Sequence, residues 1–168
     1  MIEKHPFGSF VPQKSKFLIL GSFPGKEGLR GDWYYGGRIN QFWKIMEKVY
    51  DKKLNNIKDK KRFLIDLKIA IADIISECER IKNNNSDENL KVIKYNIVEI
   101  KNIIRNNPIE KIFFTSLYVE KLFRKNFKGL ILKYPKISIF SLPSPSPRFA
   151  KISLKEKIKI YKKLLPCN

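Results

Sequence analysis

The sequence predicts an α/β fold of three layers, with a central four-stranded, mainly parallel sheet flanked by helices. Three observations predict it. Four short apolar segments recur along the chain: Lys16 to Gly21, Ile69 to Ile75, Lys111 to Ser116 and Lys136 to Leu142. The first, Phe17-Leu18-Ile19-Leu20, is apolar without alternation, as in a strand covered on both faces. Stretches with helical spacing separate the four, and strand–helix alternation favours a parallel sheet. The 168 residues suit a single domain with a substantial core, and neither an internal repeat nor a second domain is evident.

The elements follow in order. The first strand opens into a loop from Gly21 to Tyr35, punctuated by Gly25, Gly28 and Gly31. Asn40 to Tyr50 reads as a helix, because Phe42, Trp43, Met46 and Val49 fall at helical spacings. Lys58 to Leu67 reads as another. Ile69 to Ile75, "IAIADII", is apolar and β-branched, a second buried strand. Ile81 to Asn89 is a polar loop in which Ser86 or Asp87 can cap the next element. Leu90 to Arg105 alternates apolar and charged residues, and its stop at Asn106-Asn107-Pro108 favours a helix or a short strand with a helix. Lys111 to Ser116 is the third strand. Leu117 to Phe127 is a helix with Leu117, Leu122 and Phe123 inward and Gly129 just beyond its end. After the fourth strand, "PSPSPRFA" is a stiff loop, since each proline fixes φ and removes a donor. Ser153 caps the last helix, with Glu156 at the capping-box position.

Composition narrows the function. The net charge is +19 and the pI about 9.9, which points to a polyanionic partner, nucleic acid before acidic membrane. The same richness in Lys, Asn and Ile also arises from AT-rich codon usage, so charge supports a nucleic-acid role without establishing it. No stretch approaches the ~18 apolar residues of a membrane span, and the N-terminus lacks the apolar segment of a signal peptide. Cys78 and Cys167 are too few for an iron–sulfur cluster and form no Cys-x-x-Cys pair for zinc. A cytoplasmic, nucleoid-associated monomer without metal or cofactor is expected.

Ligands of parallel sheets sit beyond the carboxyl ends of the strands. Two loops fall there, those opened by Gly21 and by Leu142. "GSFPG" (Gly21 to Gly25) is neither the dinucleotide fingerprint nor the lysine-bearing phosphate loop. Its glycines allow close backbone approach, and its N–H groups can hold an anion or a carbonyl; it also reads as a tight strand exit. In "WYYGGRINQFW" (Trp33 to Trp43), Tyr35 can stack on a base and the Asn40 amide offers donors and an acceptor. The structural alternative makes Asn40 a helix cap and Tyr35 a core ring. "LPSPSPR" carries Ser144, Ser146 and Arg148, which can grip phosphates or merely stiffen a connector. His5, the sole histidine, reads as structural. Asp73 reads as a satisfied polar group at a strand end, with a buried acid near the site as the alternative.

"FLILGSFPG", "YYGGRINQFW" and "LPSPSPR", in this order, resemble the uracil-DNA glycosylase superfamily over most of the chain. "HPF", the "YYG" to "NQFW" block and "DIISECER" (Asp73 to Arg80) are most similar to its hypoxanthine-DNA glycosylase branch. "GRINQFW" and "LPSPSPR" also resemble the mismatch-specific uracil/thymine branch. The resemblance implies a monofunctional glycosylase that flips a deaminated base, uracil or hypoxanthine, from DNA with damaged or mismatched bases and hydrolyses its N-glycosidic bond. It implies Tyr35 as the ring stacked on the base and Asn40 as the catalytic polar group, with Ser22 and Phe23 also at the base. Gly25, Ser144 and Ser146 would hold the strand, and Arg148 would fill the gap left by the extruded base. Three positions depart from the pattern. Phe23 stands where an Asp or Asn normally positions the water, Leu142 where uracil-specific members carry a histidine, and Gly37-Arg38 where the hypoxanthine branch has His-Pro. The missing water-positioning residue, together with the +19 charge, motivates a second reading, a catalytically weak or inactive nucleic-acid-binding protein on the same scaffold. A third is an enzyme acting on free nucleosides or nucleotides.

Overall fold

The computed structural model describes residues 1–29, 31–81 and 87–167. Four parallel strands form the centre: β2 (Phe17–Gly21), β3 (Ile69–Asp73), β6 (Lys111–Phe114) and β7 (Ser138–Ser141), in the order β3-β2-β6-β7. In register, Ile19 lies between Ile71 on one side and Phe113 on the other, and Phe113 is next to Phe140. The unalternating sequence runs are explained by this placement. Strand periodicity sends Leu18, Leu20, Ala70, Ala72, Ile112 and Phe114 to one core and Ile19, Ile69, Ile71 and Phe113 to another, so both faces are buried. Helices α2 (Phe42–Tyr50), α3 (Ile57–Asp66) and α7 (Leu154–Leu164) contribute to the second core. Helices α4 (Ile97–Asn106), α5 (Leu117–Asn126) and α6 (Lys128–Lys133) contribute to the first. The α/β sandwich expected from the sequence is therefore present, with all four central strands parallel.

A second sheet was not anticipated. β1 (Ile2–Lys4), β4 (Ile75–Arg80) and β5 (Leu90–Tyr95) pair antiparallel in the order β1-β4-β5. The apolar run read as one strand to Ile75 ends at Asp73, and the chain enters β4 two residues later. Leu90 to Arg105 resolves as a strand followed by a helix. A short helix, α1 (Lys26–Leu29), interrupts the first loop. The helix expected from Asn40 begins at Phe42, with Gln41 at its N-cap. Leu117 is 67% exposed rather than inward; Phe123 is buried and Leu122 half-buried, and the buried stripe of α5 begins at Val119. Gly129 lies just beyond the end of α5, as expected, but inside the next helix, α6, rather than at a cap. Ser153 and Glu156 form the expected capping box. Ser86 lies outside the described residues, and Asp87 opens a short 3-10 turn. Cys78 is buried and Cys167 exposed, both free. Among the described residues, no helix is long and apolar enough to cross a membrane.

Candidate functional site

The four parallel strands end on the same edge of the molecule, and the residues that leave them converge there. Ser22 follows β2, Asp73 ends β3, Thr115 and Ser116 follow β6, and Ser144 lies just beyond β7. All five line one cleft, with a cavity volume of about 150 Å³. Because β2 has β3 on one side and β6 on the other, the connections diverge at this edge, the geometry that opens a crevice in such sheets. The three sequence motifs meet in it. Ser22, Phe23, Gly25, Tyr35, Asn40, Ser144, Ser146 and Arg148 all line the cleft.

Each wall has its own support. The first loop is held by β4, where Arg80 donates to the Pro24 carbonyl (3.1 Å) while paired with Glu3 at 2.8 Å. The Ser22 hydroxyl donates to Asp87 Oδ1 at 2.7 Å. Among the described residues, neither the Ser22 nor the Phe23 N–H donates to another backbone group. Phe23, where the family pattern has a polar residue, is a buried ring set edge-on to His5.

Tyr35 sits at φ 53°, in the left-handed region, in the turn closed by the Gly36 N–H on the Trp33 carbonyl (2.9 Å). One face of its ring stacks on Phe42, centroids 4.1 Å apart, and the residue lines the cleft. Its hydroxyl reaches Thr115 Oγ1 at 3.4 Å, and burial drives its pKa well above the ordinary tyrosine value. Tyr35 is thus a core ring, as its structural reading has it, that also lines the cleft. Asn40 likewise combines a structural contact with a place in the cleft lining. Its Oδ1 accepts the Phe42 N–H at 2.9 Å, satisfying a free donor of the first turn of α2. Since an N–H can only donate, the amide orientation is fixed by its partner, and the nitrogen Nδ2 is the end left for a ligand.

The floor was legible only as the alternative reading of Asp73, a buried acid near the site. Asp73 Oδ2 lies 2.8 Å from His5 Nε2, and His5 Nδ1 lies 2.7 Å from the Phe7 carbonyl. Burial opposes the imidazolium, but the Asp73 hydrogen bond and charge, the Phe7 carbonyl and the Glu99 charge outweigh it, so the His5 pKa is raised. Asp73 is thus a satisfied strand-end polar group, as expected, but one that also lines the cleft. Gly21 makes room for it: a Cβ there would overlap Asp73 Oδ1 and lie 2.6 Å from the Tyr35 hydroxyl. Glu27 and Asp87 add two more carboxylates to the lining. A carboxylate closing an otherwise apolar strand was the available signal, because such a charge requires a partner. Among the described residues, no group of three His, Cys, Asp or Glu side chains is placed to hold a metal ion.

The family model of the uracil DNA glycosylase superfamily matches residues 7–165. A hypoxanthine DNA glycosylase of Methanosarcina barkeri is 29% identical over 92 residues, covering 54% of this chain and 57% of the relative. One of Methanosarcina acetivorans is 32% identical over 73 residues, covering 38% and 46%. The matches thus span about half the length of these curated relatives. A solution NMR structure from Methanosarcina acetivorans, named provisionally as a uracil DNA glycosylase, superposes with a TM-score of 0.73. It covers 98% of this chain and 99% of that one at 22% identity, which is a likeness of fold.

Proposed function

This chain belongs to the uracil DNA glycosylase superfamily, and on that premise we propose that it is a monofunctional DNA glycosylase acting on deaminated bases, uracil or hypoxanthine. One observation carries the reading. Residues singled out in three separate motifs line one cleft at the carboxyl edge of a parallel sheet.

The chemistry asked of the cleft is modest. The C1′–N bond breaks with its electron pair on the departing base, the sugar passes through an oxocarbenium-like state, and water adds at C1′ and releases a proton that ends on the departed base; O-glycoside cleavage is the analogy. The base must first leave the stack, which costs a few kcal/mol, roughly, and stacking on an aromatic face offsets part of that. The face of Tyr35 away from Phe42 serves this purpose. Charge developing on the base is met by fixed donors, the Asn40 amide nitrogen and the N–H groups of Ser22 and Phe23. An amide takes up no proton near neutral pH, so Asn40 orients and stabilises without acting as a base.

Asp73 favours deaminated bases in particular. An ionised carboxylate only accepts hydrogen bonds. Hypoxanthine and uracil present a ring N–H on the pairing edge where adenine and cytosine present a lone pair. A carboxylate on the floor attracts the first pair and repels the second. Ser144, Ser146 and Arg148 would hold the flanking strand, with Arg148 filling the gap left by the flipped base, and the +19 charge would draw the chain to DNA.

Oligonucleotides carrying uracil, hypoxanthine, xanthine or a G·T mismatch, treated with alkali after incubation, test the proposal. Strand scission at the uracil or hypoxanthine position is expected. No scission of any of them at stoichiometric protein, with salt-sensitive binding intact, would replace it by the non-catalytic DNA-binding reading.

A further inference from the structure

The proline-rich loop 143–149 is wired with its carbonyls inward. Pro143 O accepts from the Tyr161 hydroxyl (2.9 Å), Pro145 O from the Gln41 N–H (2.9 Å) and Ser146 O from Lys157 Nζ (2.9 Å). Lys157 and Tyr161 are one turn apart on the buried face of α7. The serine hydroxyls are used in the opposite sense. Ser144 Oγ accepts the Ser146 N–H at 3.2 Å, and Ser146 Oγ accepts the Arg148 N–H at 3.3 Å. A hydroxyl whose oxygen is engaged as an acceptor still has its proton to give. The loop therefore offers the cleft two hydroxyl protons and the exposed Arg148 guanidinium, while three of its carbonyls are held away.

Lys157 is the unusual member of this wiring. It is 1% exposed, yet among the described residues no carboxylate lies within ion-pairing distance of it. Its partners are neutral: Ser146 O, Gln41 Oε1 at 3.0 Å and the face of Phe149, centroid 5.7 Å away. Gln41 adjoins Asn40, so this one ammonium ties together the two walls of the cleft. Burial draws its pKa below the ordinary lysine value. A buried cation with no counter-ion is costly to the fold, and its field is weakly screened toward an anion placed nearby.

Resting on the reading that this loop holds DNA, we propose that Lys157 is a positioning residue for a backbone phosphate. Its charge lies unneutralised beneath the loop until the phosphate arrives, and its hydrogen bonds keep the donors of Ser144, Ser146 and Arg148 turned outward. The fold should tolerate the loss of that charge, since apolar replacement of buried ion pairs is commonly neutral or stabilising and the Ser146 carbonyl keeps a second donor, the Phe149 N–H at 3.1 Å. Stability and DNA binding should therefore respond to its removal in opposite directions.

The test is equilibrium binding of the full chain to a labelled oligonucleotide across a salt series, with thermal melting alongside. Lys157→Met should melt at or above the wild-type temperature, bind about tenfold more weakly at low salt, and lose about one unit from the slope of log affinity against log salt. Lys157→Gln keeps a donor for Ser146 O without the charge and should behave like the methionine variant, and Lys157→Arg should recover the slope. Tyr161→Phe, which frees the Pro143 carbonyl but leaves the charge, should retain the wild-type slope. A folded Met or Gln variant with wild-type affinity and slope overturns the proposal. So does failure of both to fold, which would make the lysine structural. Wild-type protein that binds no DNA at any salt overturns the glycosylase reading itself, an outcome distinct from either.

Discussion

His5 Nε2 and Asp73 Oδ2 are 2.8 Å apart, with side chains 8% and 7% exposed, although 68 residues separate them in sequence. The antiparallel sheet makes this pair. β1 lies along β4, and the His5 N–H donates to the Ser76 carbonyl at 2.9 Å, which returns the N-terminal segment to the end of β3. Phe7, Phe23 and Tyr34 pack around the imidazole. The floor of the cleft thus depends on a segment at the far end of the chain.

The pair makes stability depend on pH. The His5 pKa is raised from 6.5 in the folded protein, so the folded state binds the proton more tightly than the unfolded one. The resulting stabilisation is complete below about pH 6.5 and is lost as pH rises through the higher folded value. Melting temperature should fall across that window in the wild type and stay flat in His5→Gln. At the acid end the substitution should cost on the order of 3 kcal/mol, the usual effect of breaking a buried pair. A wild-type melting temperature that rises over the same window would reverse the assignment.

Gly21→Ala tests the crowding behind the floor. The new Cβ would overlap Asp73 Oδ1 and press on the Tyr35 hydroxyl at 2.6 Å. Overpacking of this kind costs about 1–3 kcal/mol. Both displaced groups line the cleft, so base release should fall more than stability alone explains. Chemical denaturation and single-turnover base release on the same preparation separate the two effects.

The parallel sheet was legible because its strands are buried on both faces, and such runs stand out as unbroken apolar segments. The antiparallel sheet was not. β1 is three residues long, and β4, "ISECER", carries Glu77, Glu79 and Arg80, which disguise it as surface after an apolar strand. The motif loops were legible through their glycines and prolines, and every residue drawn from them lines the cleft. The His5–Asp73 contact was hidden for the same reason as the sheet that makes it. Leu117 was misplaced because periodicity fixes a helix's stripe, not which end of it the neighbours cover.

Asp73→Asn should relax the choice of base. An amide offers a donor as well as an acceptor, so a ring lone pair is no longer repelled, while its oxygen can still accept from His5. The ratio of kcat/KM for a hypoxanthine site over an adenine site should fall at least about tenfold, the scale of one misread polar contact. An unchanged ratio would remove Asp73 from base selection.

Asn40 can be divided into its two ends. Oδ1 holds the Phe42 N–H at the start of α2, a structural duty, and Nδ2 is the end assigned to the departing base. Asn40→Asp keeps the first and inverts the second. An aspartate oxygen still accepts the Phe42 N–H, and its charge suits a helix N-terminus, so melting temperature should hold or rise. The atom facing the base becomes an acceptor that repels developing negative charge, so base release should fall by about 10²–10³-fold, the effect of losing a preorganised donor. Asn40→Ala loses both ends and should cost about 1 kcal/mol of stability as a lost cap along with a similar loss of rate. Stability and activity would then separate in one variant and fall together in the other. Asn40→Asp with wild-type activity would show that the amide nitrogen does not act on the base.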